Sequence, residues 1–303
     1  MIEFRRRFRD YFLERLAFRL LEHLERSWQG FAVPRLAAFP ADELGRQIAV
    51  RGLAERDSLL FLFDDILAAD AEDFKSKVAI DIGANVGNHA LFLAPRFARV
   101  LAFEPHPLLA RLIELNAELN DVGNVRVHPV GLSDVDGEAA YLEIAERNIG
   151  ASGLTETHWS GGQAAGRTLT VRLEIGDEAI ARHAHPDDIA LVKIDVEGHE
   201  TNAIKGLELL LTRADPIVLF EVRSGESLPQ GLAAWALLES FGYRHFHVIE
   251  QMPVLLPWAP APVRWGVNLV DRMARGVRYR ARRIERFEPC QQDFVIAAKR
   301  ELL

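Results

Sequence analysis

This chain of 303 residues is short of several things, and each shortage excludes something. It has one cysteine, Cys290. That rules out intrachain disulfides and cysteine-rich zinc sites, and it fits a reducing compartment. No segment approaches the ~18 consecutive apolar residues of a membrane span. The arginine-rich N-terminus lacks the unbroken apolar stretch of a signal peptide, so the expected location is cytoplasmic. Positive charge is also short, with a formal net charge of −8. A general nucleic-acid binder is usually basic, so no nucleic-acid partner is expected. There is no H-E-x-x-H segment for a zinc protease and no Asn-Pro-Pro-Tyr segment for nucleic-acid methylation. Only five of the 36 basic residues are lysines. Hydrophobic residues are not scarce: at 49% they suffice for a full core, in one large domain or two small ones.

The most informative stretch is Val78-Ala-Ile-Asp-Ile-Gly-Ala-Asn-Val-Gly-Asn-His89. The apolar run Val78–Ile82 carries one acid, Asp81. Gly83 and Gly87 follow, then an apolar-periodic segment. This reads as a buried strand, a glycine turn and a helix start. Such a helix N-terminus offers free N–H groups and a positive dipole end. A dinucleotide site wants G-x-G-x-x-G. Here the spacing is Asp81-x-Gly83-x-x-x-Gly87, and Asn85 stands where a glycine would let the backbone approach a pyrophosphate. A second strand, Val100–Phe103, ends in Glu104, 21 positions after Gly83 and suitably placed for a ribose. An adenosyl ligand without a pyrophosphate fits both facts, and S-adenosylmethionine is such a ligand. A dehydrogenase fits poorly.

Strand and helix patterns alternate through the rest. Strands are expected at 78–82, 99–103, 125–130, 189–194, 216–221, 243–248 and 293–298. Helices are expected at 88–95, 107–120, 176–182, 199–212 and 230–241, and a hairpin from 139–144 and 168–173 is inserted. Alternation of this kind means an α/β fold: a Rossmann-like, doubly wound, mainly parallel sheet, closed by a terminal antiparallel hairpin. An amphipathic helix over residues 3–27, with Phe4, Phe8, Phe12 and Leu16 on one stripe, and a second helix at about Ser58–Ala69 precede it. The expected division is a helical extension at 1–72 and a Rossmann-like domain at 73–303, with an insertion at about 250–291.

Ligands bind such sheets beyond the carboxyl ends of the strands, so the residues ending them are the candidates. Lys193-Ile-Asp-Val-Glu-Gly-His-Glu200 puts Asp195 and Glu197 two positions apart, on one face of an extended segment. Two acids there can bind a cation, accept a proton or orient a hydroxyl. The bland alternative is that Glu197 and Glu200 merely complement the dipole of the following helix. Gly131-Leu-Ser-Asp134 can hold an adenine amino group or simply make a turn. Asn148-Ile-Gly-Ala-Ser-Gly153 can be a closing loop or a linker. His199 is a candidate base beside the acid pair. His128, His183 and His185 read as structural or solvent-facing.

With these residues in view, the chain resembles the FkbM-type S-adenosylmethionine-dependent methyltransferases. The resemblance is carried by Asp81-Ile-Gly-Ala-Asn-Val-Gly87, Phe103-Glu-Pro-His-Pro107, Leu132-Ser-Asp134, Asn148-Ile-Gly150, Lys193-Ile-Asp-Val-Glu-Gly198 and Phe220-Glu221. It covers roughly residues 76–222, about half the chain. It implies methyl transfer to a hydroxyl of a sugar, glycan or secondary metabolite, with nitrogen methylation or a non-catalytic adenosyl-binding role as alternatives. It places Asp81 and Gly83 at the cofactor's amino-acid end, counts Asn85, Gly87 and Asn88 among the cofactor-binding residues, and puts Glu104 on the ribose and Leu132 and Ser133 near adenine. Asp195 then borders the methionine moiety and the acceptor, with Glu197 or Glu221 as base or acceptor anchor. Two carboxylates alone do not specify a divalent metal, which stays an option rather than an expectation.

Residues 264–286 lie outside that match. They carry eight arginines against Asp271 and Glu285, a local charge of +6, with apolar residues interleaved. Read as one basic, part-apolar helix, the segment suits contact with an anionic membrane or a lipid-linked substrate, making the protein peripheral to a membrane. The plainer reading is a solvated helix, or a subunit-facing one in a homo-oligomer.

Overall fold

The computed structural model describes residues 8–28, 33–40, 42–144, 153–154, 166–196, 198–222, 228–252, 255–256, 258–287 and 292–303. Helices α1 (Phe8–Trp28), α2 (Glu43–Arg51), α3 (Arg56–Phe61) and α4 (Ala71–Phe74) come first. The alternating part follows as β1 (Val78–Ile82), α5 (Asn88–Leu93), β2 (Arg99–Phe103), α6 (Pro107–Leu119) and β3 (Val125–His128). Four further strands are β4 (Gly131–Ser133), β5 (Gly137–Ile144), β6 (Gly153–Leu154) and β7 (Gly166–Ile175). Then come α7 (Gly176–Ala181), β8 (Ile189–Ile194), α8 (Glu200–Lys205), α9 (Glu208–Arg213), β9 (Ile217–Val222) and α10 (Leu228–Ser240). The chain ends with β10 (His245–Gln251), α11 (Ala261–Arg275), β11 (Tyr279–Ile284) and β12 (Gln292–Ala298).

The main sheet has eight strands in the order β11-β10-β12-β9-β8-β1-β2-β3. From β9 to β3 the pairs are parallel, and β12 lies antiparallel between β9 and β10. This is the expected Rossmann-like α/β fold with its terminal hairpin. The inserted hairpin is also present, as β5 and β7 in a second sheet of order β4-β7-β5-β6.

Strand alternation sorts the core into two layers. Val78, Ile80 and Ile82 of β1, Leu101 and Phe103 of β2, Val192 and Ile194 of β8, and Val218 and Phe220 of β9 face one side, against α7 to α10. Ala79, Val100, Ala102, Leu191, Ile217 and Leu219 face the other. Helices before β1 complete that second layer, since Leu59, Leu62, Phe63, Ile66, Leu67 and Phe74 share its core. Phe63 packs edge-on against Phe74, Phe92 and Phe97. Residues 53–74 are thus built into the sheet's packing, whereas many apolar side chains of α1 are exposed.

Three local expectations change. The helix at about 58–69 becomes α3, a π-turn at Leu62–Ile66 and a 3-10 turn at Ala68–Asp70, because the wider turn keeps Leu62, Phe63, Ile66 and Leu67 all in the core. The helix at 199–212 is divided near Gly206, where a Cβ would lie 1.9 Å from Ser133 O. Its second half starts afresh, with the Asp177 carboxylate accepting the N–H groups of Leu209 and Leu210 at 2.7 and 2.9 Å. The basic segment 264–286 is not one helix: α11 ends at Gly276, and Tyr279–Ile284 continues as the edge strand β11.

Candidate active site

Register brings the charged residues together. Asp81 and Lys193 are direct partners across β1 and β8. Two-residue periodicity turns both toward the side of the sheet occupied by Ala79 and Leu191. Lys193 Nζ lies 3.0 Å from Asp81 Oδ1 and 3.5 Å from Asp195 Oδ2, and donates to Gly83 O at 3.0 Å. Asp81 and Lys193 are buried, and Asp195 is half-buried. Burial works against the ammonium, but the Asp81 and Asp195 carboxylates outweigh it and hold the Lys193 pKa above its ordinary value. Among the described residues neither Asp81 oxygen makes a well-directed hydrogen bond, so the attraction to Lys193 is an ion pair. Asp81 thus meets the candidate site through this lysine, which sequence reasoning did not single out.

The glycine turn sits over this pair. Gly83 takes φ +74°, and a Cβ there would lie 1.8 Å from Asp195 O. Only glycine lets the β1 and β8 strand ends approach so closely. The N–H groups of Gly83 and Ala84 reach Phe103 O at 2.9 and 3.2 Å, joining the turn to β2. Asn85 adopts φ +52°, a left-handed conformation that asparagine tolerates better than most residues. Its Oδ1 is buried and meets no donor among the described residues. Gly87, at φ +87°, leads into α5.

Glu104 ends β2 beside this turn. One carboxylate oxygen accepts the N–H of Asn85 and the other that of His106, each at 2.9 Å. Burial pushes its pKa up to about 7, against the opposing effects of those two bonds and of Lys193; Asp81 adds to the rise. Each oxygen keeps a lone pair for a further donor.

On the other side, Leu132 and Ser133 are buried in β4. Ser133 Oγ donates to Asp134 Oδ1 at 3.2 Å and lies 3.0 Å from His199 Nε2. His199 is therefore tied to the Ser133 strand end. Glu200 accepts the Gly198 N–H at 3.0 Å, the helix-start role that the bland reading expects.

Asn88 is placed differently from its neighbours in the motif. Its side-chain Oδ1 accepts the Ala54 N–H at 3.0 Å and its Nδ2 donates to Ala54 O at 3.2 Å, so the amide fastens α5 to the helices before β1. Asn116 of α6 does likewise, holding both Ala37 and the Val86 carbonyl of the turn. His106 caps α6 through Nδ1. His128 stacks between Phe103 and His183, and burial, with His183 adding to it, pushes its pKa down to about 4.

Glu197 and the loop residues 145–152 lie outside the described residues, as does the side chain of Glu221 in β9. Among the described residues, no three His, Cys, Asp or Glu side chains converge as metal ligands.

An adenosyl-amino-acid ligand fits this edge by chemistry. It brings hydroxyl and ammonium donors to a rim where the Glu104 lone pairs and Asn85 Oδ1 await donors. Comparison with known proteins points the same way. Residues 81–245, just over half the chain, match the profile of the methyltransferase FkbM domain. The chain is 29% identical over 196 residues to the hexuronic acid methyltransferase AglP of Haloferax volcanii, covering 65% of this chain and 72% of that protein. It is 26% identical over 207 residues to methyltransferase 1 of Beauveria bassiana, covering 64% and 80% respectively. The solved methyltransferase FkbM of Methylobacillus flagellatus KT aligns with 93% of this chain and 58% of its own, at 13% identity and a TM-score of 0.42.

Proposed function

The chain belongs to the FkbM family of S-adenosylmethionine-dependent methyltransferases, and from that premise we propose that it methylates a hydroxyl oxygen of a sugar, with uronic-acid-containing glycans the first acceptors to try. The observation that carries the reading is the composite edge of Glu104, Asn85, Lys193 and Asp195 at the ends of three adjacent parallel strands. Likeness to a hexuronic acid methyltransferase supports the acceptor class.

When bound, the sulfonium cofactor supplies an electrophilic methyl group, and the transfer is an in-line displacement that depends on alignment and exclusion of water. Glu104 accepts from the ribose hydroxyls. The start of α5, which the Gly83–Gly87 turn leads into, presents backbone N–H groups to the amino-acid end. Leu132 and Ser133 border the adenine. Lys193 neutralises Asp81 and holds Asp195 at the rim, where the Asp195 carboxylate can orient an acceptor hydroxyl or take its proton. Glu197 and Glu221 are the other candidates for that proton.

The test is incubation with methyl-labelled S-adenosylmethionine and a panel of hexoses, hexuronic acids, amino sugars and their oligosaccharides. Label in an alkali-stable ether on a sugar is the expected product. An alkali-labile ester would move the acceptor to a uronate carboxylate. Label only in amine-bearing acceptors would overturn oxygen methylation.

A further inference from the structure

Helix α11 is mounted the wrong way round for a surface helix. Its polar stripe faces the protein: Asn268 Oδ1 accepts the Leu255 N–H at 2.7 Å, and Nδ2 donates to Leu255 O at 3.0 Å. Asp271 receives Arg278 at 3.0 Å, and Arg272 reaches Gln251 Oε1 at 3.3 Å. The apolar stripe faces solvent instead. Trp265 is 69% exposed, Val270 66% and Met273 79%, and no residue of the helix is buried. Just before it, Trp258 is 80% exposed. Surface helices normally point their apolar stripe at the core, so something outside the described residues must cover this one.

Charge indicates what covers it. The acids nearby are engaged: Asp271 with Arg278 and Arg275, and Glu250 with Arg280 and Arg282. The segment 264–286 keeps its local charge of +6. A groove of ≈ 390 Å³ beside the helix is lined by Arg264, Arg272, Trp265, Leu269, Asn268 and Ala261, two guanidinium groups and an indole around one concavity. Two copies stacked through this face would set +6 against +6. An anionic bilayer meets both demands, with phosphates for the arginines and an acyl boundary for tryptophan and methionine. Among the described residues no helix is long and apolar enough to cross a membrane, so the contact is with the surface.

The position is suggestive as well. Both β9 and β10 run antiparallel to β12, so β10 runs parallel to β9, and the chain leaves it at Gln251 on the edge that bears Gly83 and Asp195. Tyr279, at the start of β11, donates to Asp57 Oδ2 at 3.3 Å; two residues earlier, Glu55 pairs with His89 of α5 at 3.0 Å. We infer that α11 and the neighbouring arginines dock the enzyme on anionic phospholipid membranes, with the cofactor edge of the sheet on the same rim.

Flotation of the full chain with vesicles of phosphatidylcholine, with and without phosphatidylglycerol, tests this. The protein should float with the anionic vesicles at low salt and be released at high salt. Trp265→Ser with Met273→Ser should lower the partition by about tenfold or more. Arg272→Glu with Arg275→Glu should abolish the preference for anionic lipid. Unchanged S-adenosylmethionine affinity by calorimetry would show that these variants remain folded. The inference is overturned by a folded wild type that stays off anionic vesicles, or by variants that float as it does. It is also overturned by a dimer in sedimentation equilibrium that Met273→Arg splits, since a second copy would then be the cover.

Discussion

Glu104 should make the cofactor-free enzyme less stable as pH rises, and cofactor should release a proton on binding. An ordinary glutamate carboxyl titrates near 4.5, whereas burial holds that of Glu104 at about 7 in the fold. The folded protein therefore holds this proton more tightly than the unfolded chain does. Its contribution is neutral below pH 4.5 and becomes unfavourable as pH climbs toward 7, growing by about 1.4 kcal/mol per pH unit. The full penalty is on the order of 3 kcal/mol above pH 7, most of it developed between about pH 5 and 8. Glu104→Gln removes the titration. Its amide also leaves one of the N–H groups of Asn85 and His106 facing a donor, a cost of about 1–3 kcal/mol that does not change with pH. The slope is therefore the measurement, not the offset. Urea unfolding without cofactor should show wild type losing about 2–3 kcal/mol relative to the variant across that range. Parallel curves would refute the reasoning. Ribose hydroxyls favour the charged carboxylate, so calorimetry near pH 6 in two buffers of different ionisation enthalpy should show proton release by wild type and none by the variant. Proton uptake by wild type would sink the ribose assignment.

Lys193→Met leaves Asp81 buried without its counter-ion and should cost about 3–5 kcal/mol in urea unfolding; adding Asp81→Leu should recover most of it, and no recovery would mean the pair is not coupled. Gly206→Ala drives a Cβ to 1.9 Å from Ser133 O, so it should unfold at least about 3 kcal/mol more easily; a wild-type melting curve would show that this approach is not required. Asn88→Ala loses two buried hydrogen bonds to Ala54 and should cost about 2–3 kcal/mol of stability, with little change in S-adenosylmethionine affinity. A selective loss of affinity would return the Asn88 side chain to the cofactor.

The parallel strands could be read from sequence because strands buried on both faces must be apolar throughout, as Val78–Ile82 and Ile189–Ile194 are but for Asp81 and Lys193. The two exceptions form the buried ion pair at the candidate site. Their meeting was not legible, because it depends on the register of strands more than 100 residues apart. Asn88 shows a related limit: the sequence places it beside the glycine turn but not which way its amide points. The π-turn at Leu62–Ile66 follows from tertiary packing that no local pattern records. Within 264–286, Tyr279-Arg-Ala-Arg-Arg-Ile284 does alternate, but over too short a span to stand out from a basic helix.

Lysine scarcity and the buried ion pair together make a chemical probe. Of the five lysines, Lys193 alone is buried, held among Asp81, Asp195 and Gly83. An amine-acylating reagent should modify the more accessible lysines first. Acylation of Lys193 must wait for the edge to open. Mass spectrometry of that single slow modification, timed with and without bound cofactor, then reports how often this edge of the sheet opens, without a mutation.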